Sequence, residues 1–131
     1  MRILDTDTDV EVLRGNPRVR ARQDDVTGRM ATTIVSAAEL HYGASKSTAP
    51  ELEHDRVVRF LESIEVIGLN LSSARVFGDL KASLEQQGQR LADADLLIAA
   101  ICLANNATLV TGNRRHFDRV PGLVLEDWIR G

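Results

Sequence analysis

A chain of 131 residues that is 44% hydrophobic, 27% charged and 4% aromatic suffices for one domain, residues 1 to 131, with an aliphatic core and few stacking platforms for bases. Its formal net charge of -3 argues against a protein that coats nucleic acid by charge alone. The one cysteine, Cys102, excludes an intramolecular disulfide, no run approaches the roughly 18 apolar residues of a membrane span, and no signal segment is legible at the start, so a cytoplasmic protein in a reducing compartment is expected.

In chain order, the apolar piece at residues 2 to 5 reads as a strand. Residues 7 to 14 read as a short helix stopped by Gly15-Asn16-Pro17, and residues 17 to 28 as a second helix ending at Gly28. A strand is expected at 31 to 34, followed by a helix that opens on Ser36-Ala37-Ala38-Glu39, a capping-box match with Val35 and Leu40 as its staple. Pro50 suits the first turn of the next helix, which places Val57, Leu61 and Ile64 on one face. After a strand at 64 to 69, Ser72 and Ser73 are the expected caps of a helix carrying Val76, Leu80 and Leu84 and ended by Gly88. The segment from Asp93 to Asn105 is apolar nearly all round after its first turn, which marks a central helix with Cys102 as a buried thiol. Strands at 107 to 111 and 122 to 125 flank a short helical segment that Asn113 would cap. Short aliphatic strands alternating with helices indicate an α/β fold, a mostly parallel sheet of about five strands with helices on both faces.

Four polar positions fall at strand ends or helix starts: Asp5, Glu39, Asp95 and Asn113. In a parallel sheet those points share one edge, so they can converge. Two carboxylates about 4 to 5 Å apart repel by roughly 3 to 4 kcal/mol at an effective dielectric of about 20, so such a cluster implies a divalent cation or a shared proton.

Each acid also has a plain structural reading. Glu39 completes a capping box, Asp93 suits an N-cap, and Asp95, Asp7 and Asp9 complement helix dipoles. Asp5 is not required by the strand it ends. His41 and His54 show no metal-ligand spacing and read as surface or packing residues, whereas His116 lies nearer the suspected site. A nitrogen- and sulfur-liganded zinc site has no support. The arginines at 14, 18, 20 and 22 and at 114, 115 and 119 read as solvated helix faces.

Taken together, Asp5 after the first strand, Ala38-Glu39-Leu40 followed by Tyr42-Gly43, the Asp93-Ala94-Asp95-Leu96-Leu97-Ile98 helix start, Leu109-Val110-Thr111-Gly112-Asn113, Leu13-Arg14-Gly15-Asn16-Pro17 and the closing Phe117-Asp118-Arg119-Val120-Pro121-Gly122-Leu123 resemble the PIN-domain ribonucleases, specifically the VapC-type toxins of toxin-antitoxin pairs. The resemblance implies a three-layer α/β/α PIN-like fold and Mg2+- or Mn2+-dependent hydrolysis of RNA. It puts the metal ligands at Asp5, Glu39 and Asp95, and the fourth site position at Asn113, where relatives often carry Asp. Thr6 and Thr111 become hydroxyl donors, Asp7 and Asp9 extra carboxylates or caps, and Asp93 an outer support. A homodimer and a small inhibitory antitoxin protein are implied as partners.

Two other readings stay open. Asp5-Thr6-Asp7-Thr8-Asp9 approximates the nucleophile loop of haloacid-dehalogenase-type phosphatases, although Asp stands at its fifth position and the later acids precede a helix. A catalytically weak PIN-like binding domain is kept open by the neutral Asn113.

Overall fold

The computed structural model describes residues 1 to 131. Its elements run β1 (Arg2–Leu4), α1 (Thr6–Leu13), α2 (Pro17–Asp25), β2 (Met30–Thr33), α3 (Ile34–Ser45), α4 (Pro50–Glu62), β3 (Glu65–Ile67), α5 (Leu71–Gln86), α6 (Asp93–Ala104), β4 (Thr108–Val110), α7 (Arg114–Phe117) and β5 (Leu125–Glu126). The five strands form one sheet in the order β3-β2-β1-β4-β5, and every pairing is parallel. Strands of two to four residues hold together because helices cover both faces, as parallel sheets require.

The order of strands reverses direction at β1. The chain first winds outward through β2 and β3, then crosses back so that β4 pairs with β1 on its other side, in register Arg2↔Thr108, Ile3↔Leu109 and Leu4↔Val110. In open α/β sheets the crevice beyond the strand C-termini at such a reversal is where ligands bind.

The largest apolar cluster joins Ile3, Leu109, Phe117 and the buried stripe of α6, in which Ile98, Ala99, Ala100, Ile101 and Cys102 are wholly inaccessible. Burial pushes the Cys102 thiol up, so it is an inert core group. A second cluster on the other face gathers Leu4, Val19 and Val110 around Trp128. A third fills the space between α3 and α4 with Leu40, Val57 and Phe60.

Several local expectations are corrected. The cap of α3 is Thr33, whose hydroxyl accepts from the Ser36 N–H, so the helix begins two residues before Ser36 and Glu39 lies in its second turn rather than in a capping box. Asn70, not Ser72 or Ser73, caps α5, and Ser73 completes the box as its third helical residue. Asp93 is the first residue of α6 after Ala92 and bonds to Lys81 Nζ at 2.9 Å instead of capping. The second helix ends at Asp25 with Val26 already extended. β5 starts at Leu125 rather than 122, because Gly122 sits at φ 78, a left-handed turn. No helix is long and apolar enough to cross a membrane.

Candidate functional site

The crevice beyond β1 and β4 gathers acids from three parts of the chain. Asp5 leaves β1 and caps α1. Its Oδ1 accepts from the Thr6 N–H at 2.9 Å and its Oδ2 from the Thr111 hydroxyl at 2.8 Å. The cap reading thus applies to Asp5, where sequence reasoning saw no structural need. It does not exhaust the residue: burial first, then the neighbouring charges of Asp7 and Asp95, push its carboxyl up to about 7 against the two hydrogen bonds. A simple N-cap would keep its charge.

Asp7, in the first turn of α1, accepts from the Gly112 N–H at 3.0 Å. Burial raises its pKa and Asp127 adds to the shift. A Cβ on Gly112 would come within 2.8 Å of Arg130 Nη1 and Ile129 Cδ1 and 3.0 Å of Asp7 Oδ2, side-chain ends that would have to shift to admit it. Asp95, in the first turn of α6, is raised by burial and by the charges of Glu39 and Asp7, and lowered by His116, whose Nε2 lies 3.4 Å from its Oδ2. Glu39 is exposed on α3 and is tethered across the crevice by the Thr6 hydroxyl at 2.7 Å from its Oε1.

The charges of Asp7 and Asp95 thus reach Asp5, and those of Glu39 and Asp7 reach Asp95. The structure gives no ion-pair partner to Asp5, Asp7 or Glu39, and Asp95 has only His116. As placed, no three of the chain's Asp, Glu, His or Cys side chains are close enough to hold one metal ion.

The remaining sequence candidates fall around this centre. Thr6 and Thr111 are hydroxyl donors to its carboxylates, Thr111 also accepting the Asn113 N–H at 3.0 Å. Asn113 starts α7 without a side-chain cap bond, and its amide nitrogen meets His116 Nδ1 at 3.1 Å. Asp93 is spent on Lys81 and is not among the charges that shift Asp5 or Asp95. Asp9 is wholly buried, within reach of the charges of Asp5 and Asp7, with one oxygen accepting from Thr32 and the other, Oδ1, without a partner. Burial holds its carboxyl well above the usual range.

Sequence reasoning missed Asp127 and Arg130. Asp127 accepts from the N–H groups of Ile129 and Arg130 at 2.8 and 2.9 Å, which folds the last residues into a turn, and Arg130 donates to the Gly112 carbonyl. The buried Trp128 that anchors this turn was the available signal.

A crevice of acids at the topological reversal of a five-stranded parallel sheet is the architecture of a PIN domain, and residues 2–123 match the PIN domain family. Over 129 residues the chain is 36% identical to "Ribonuclease VapC2" of Rickettsia felis, covering 96% of each protein. Over 127 residues it is 34% identical to "tRNA(fMet)-specific endonuclease VapC" of Salmonella typhimurium, again covering 96% of each. The fold superposes on VapBC2 from R. felis bound to a DNA fragment from its promoter with a TM-score of 0.91 at 33% identity, covering 97% of this chain and 98% of that one. It superposes on VapBC-1 from nontypeable Haemophilus influenzae with a TM-score of 0.88 at 27% identity, covering 97% of each. The chain belongs to the PIN-domain family, among its VapC-type ribonucleases.

Proposed function

We propose that this chain is the toxin of a toxin-antitoxin pair and hydrolyses RNA with a divalent cation, Mg2+ or Mn2+, held by Asp5, Glu39 and Asp95. The observation that carries the site assignment is Asp5, raised to about 7 first by burial and then by the charges of Asp7 and Asp95, with no cation of the chain paired to it. Carboxylates that raise one another's proton affinity are hard oxygen donors in search of positive charge, the donor set that magnesium and manganese take. The fit lies in donor chemistry rather than in a preformed cage. Glu39, exposed and hinged on one hydroxyl, is the acid free to swing inward. When bound, the ion would supply an activated water and neutralise charge developing on the phosphate oxygens.

The chain's own groups set the frame for that chemistry. Thr111 and the Thr6 N–H fix both oxygens of Asp5, so its carboxylate keeps one orientation. Gly112 and Thr8 hold Asp7, at 3.0 and 3.3 Å, as a further negative group beside it. The Asn113 amide orients His116, which faces Asp95 with its other nitrogen. Asn113 thus supports the fourth position through a hydrogen bond rather than a charge.

The partners in this reading are an RNA substrate, a cognate small antitoxin protein and a second copy of the chain, in the cytoplasm. Because a 34% identical relative bears the name of a tRNA(fMet)-specific endonuclease, that tRNA is the first substrate to try. The experiment is cleavage by purified protein with Mg2+, comparing wild type, Asp5→Asn and Asp95→Asn of matched circular dichroism. Products should carry 5′-phosphate and 3′-hydroxyl ends, since water rather than the ribose 2′-hydroxyl attacks. A 2′,3′-cyclic phosphate would overturn the mechanism, and RNA binding without cleavage by the wild type would favour a binding domain.

A further inference from the structure

We propose that the polar hollow between Gly112–Arg115 and Arg130 is a subsite for an RNA backbone phosphate adjacent to the one that is cut. The inference rests on the ribonuclease reading above and assigns that site a substrate-positioning element.

The hollow opens directly from the acid centre. Gly112 donates its N–H to Asp7, and the Asn113 N–H bonds the same Thr111 hydroxyl that donates to Asp5. Its lining is Gly112, Asn113, Arg114, Arg115, Asp127 and Arg130, with no apolar side chain. Three guanidinium groups therefore face one carboxylate, on a chain whose formal net charge is -3. The single acid is already engaged. Asp127 Oδ1 takes two backbone N–H groups, and its Oδ2 stands 3.9 Å from Arg130 Nη1. Arg114 and Arg115 are exposed at the start of α7 and neither forms an ion pair, whereas Arg56 and Arg75 pair with a carboxylate on their own helix.

The position of Arg130 is built rather than incidental. Arg130 is tied to the Gly112 carbonyl, and the turn that presents it is pinned by Arg18 Nη1 on the Ile129 carbonyl at 3.0 Å. A single strand brings one negative charge per nucleotide past a centre holding Asp5, Asp7, Glu39 and Asp95. One bound divalent cation serves only the phosphate being cut, and its neighbour meets repulsion unless the protein supplies positive charge nearby. Guanidinium forks match phosphate oxygens two at a time. The neutral Asn113 leaves the border between centre and hollow free of further repulsion. Such contacts position the strand without reading bases, so the hollow acts on every RNA sequence alike.

The test measures binding of a fluorescein-labelled single-stranded RNA oligonucleotide to the full chain between 50 and 200 mM salt, in an Asp5→Asn background so that the probe stays intact. Arg114→Gln/Arg115→Gln is compared with Arg20→Gln/Arg59→Gln, a control of equal charge loss whose arginines lie beside Met30 and Glu65 at the opposite sheet edge without ion pairs. At about 0.7 counterions released per single-strand phosphate, loss of this one phosphate contact should flatten the log-log salt slope by about 0.7, with the control close to its parent. With Asp5 restored, the hollow variant should cleave all RNA sequences more slowly without changing its preferred site. Equal slopes for hollow and control variants would overturn the subsite, and so would an altered sequence preference. Cleavage by wild type, assayed in parallel, separates the two readings. Cleavage with an unaltered slope in the hollow variant sinks the subsite alone. A flattened slope beside a wild type that never cleaves sinks the ribonuclease reading and, with it, the place of the hollow beside a scissile phosphate, leaving only an RNA-phosphate contact. Absence of RNA binding sinks both.

Discussion

The Thr111 hydroxyl donates to Asp5 Oδ2 over 2.8 Å, joining residues 106 positions apart across the β1–β4 pair. This bond orients the most perturbed acid of the crevice and opposes its protonation. Thr111→Val keeps the shape and removes the donor, leaving a buried carboxylate oxygen without a partner at a cost of about 1–3 kcal/mol. It should also raise the Mg2+ concentration needed for half-maximal cleavage by roughly 10–100-fold, the usual effect of losing a ligand's hydrogen-bond support, while Thr111→Ser stays near wild type. Titrating Mg2+ against initial rate for the three proteins checks this, and equal half-points would remove the role given to Thr111.

The pH dependence of the metal-free protein follows from Asp5. Its folded pKa of about 7 lies above the ordinary value of 3.8, so the folded state holds the proton more tightly than the unfolded chain. The acid is therefore not penalised below about pH 4, and stability is lost as pH rises through 7. The full penalty is on the order of 4 kcal/mol at about 1.4 kcal/mol per pH unit. Asp5→Asn should melt higher than wild type at pH 8 without metal and close to it at pH 4. Added Mg2+ should raise the wild-type melting temperature at pH 8 and leave the variant nearly unmoved.

Glu39 separates ligand from scaffold. Exposed, and outside any capping box, it contributes little to folding, so Glu39→Gln should leave the melting temperature within a degree or two, an effect of roughly ±0.5 kcal/mol. Cleavage should fall by more than the roughly 100-fold upper range of outer-shell changes. Rates that stay within tenfold would remove Glu39 from the metal site.

Asp9 is a wholly buried acid beside Thr32. Its Oδ1 has no partner, and Thr32, which bonds its other oxygen, also donates to the Leu4 carbonyl at 3.2 Å. A neutral carboxylic acid satisfies this setting best, since it can donate to Thr32 while Thr32 donates onward. Asp9→Asn should therefore be neutral or stabilising above pH 7, whereas Asp9→Lys should prevent folding. Chemical denaturation at pH 5 and pH 8 decides the matter: a wild type more stable than Asp9→Asn at pH 8 would show that the negative charge is wanted.

His41 and His54 bring their Nδ1 atoms to 2.7 Å with ring centres 5.0 Å apart, so the nitrogens face each other nearly along the line between the rings. One N–H is shared between α3 and α4, and Ser45 meets the far nitrogen of His54 at 3.0 Å. His41→Ala and His54→Ala should each cost about 1 kcal/mol, with the double variant costing much less than the sum. Additive losses in a denaturation series would mean that the pair is a contact without coupling.

The sheet and its helices were legible because short aliphatic strands and capped amphipathic helices carry their own periodicities. That Asp5, Glu39 and Asp95 face one crevice was legible because parallel topology sends strand ends and helix starts to one edge. Caps were less legible. Thr33 at the end of β2 outcompeted Ser36, and Asn70 outcompeted Ser72 and Ser73, since each choice depends on where the preceding strand releases the chain. The His41–His54 contact crosses two helices and has no signature in spacing. The Asp127–Arg130 turn depends on Trp128 finding its place under β1 and β4, a tertiary event. The same holds for Asp9, whose partner Thr32 is 23 residues away.

The central strand of the sheet is the first to be synthesised, and its partner β4 begins only at Thr108. A chain emerging from the ribosome can therefore wind β1, β2 and β3 together while Asp5 still lacks Thr111, Asp95 and the wall formed by Gly112 and Asn113. The assembly order is itself a safety catch: a partly made copy has an open β1 edge and no complete acid crevice. If the chain cuts RNA, it acquires that capacity only once the stretch that closes the sheet has left the exit tunnel.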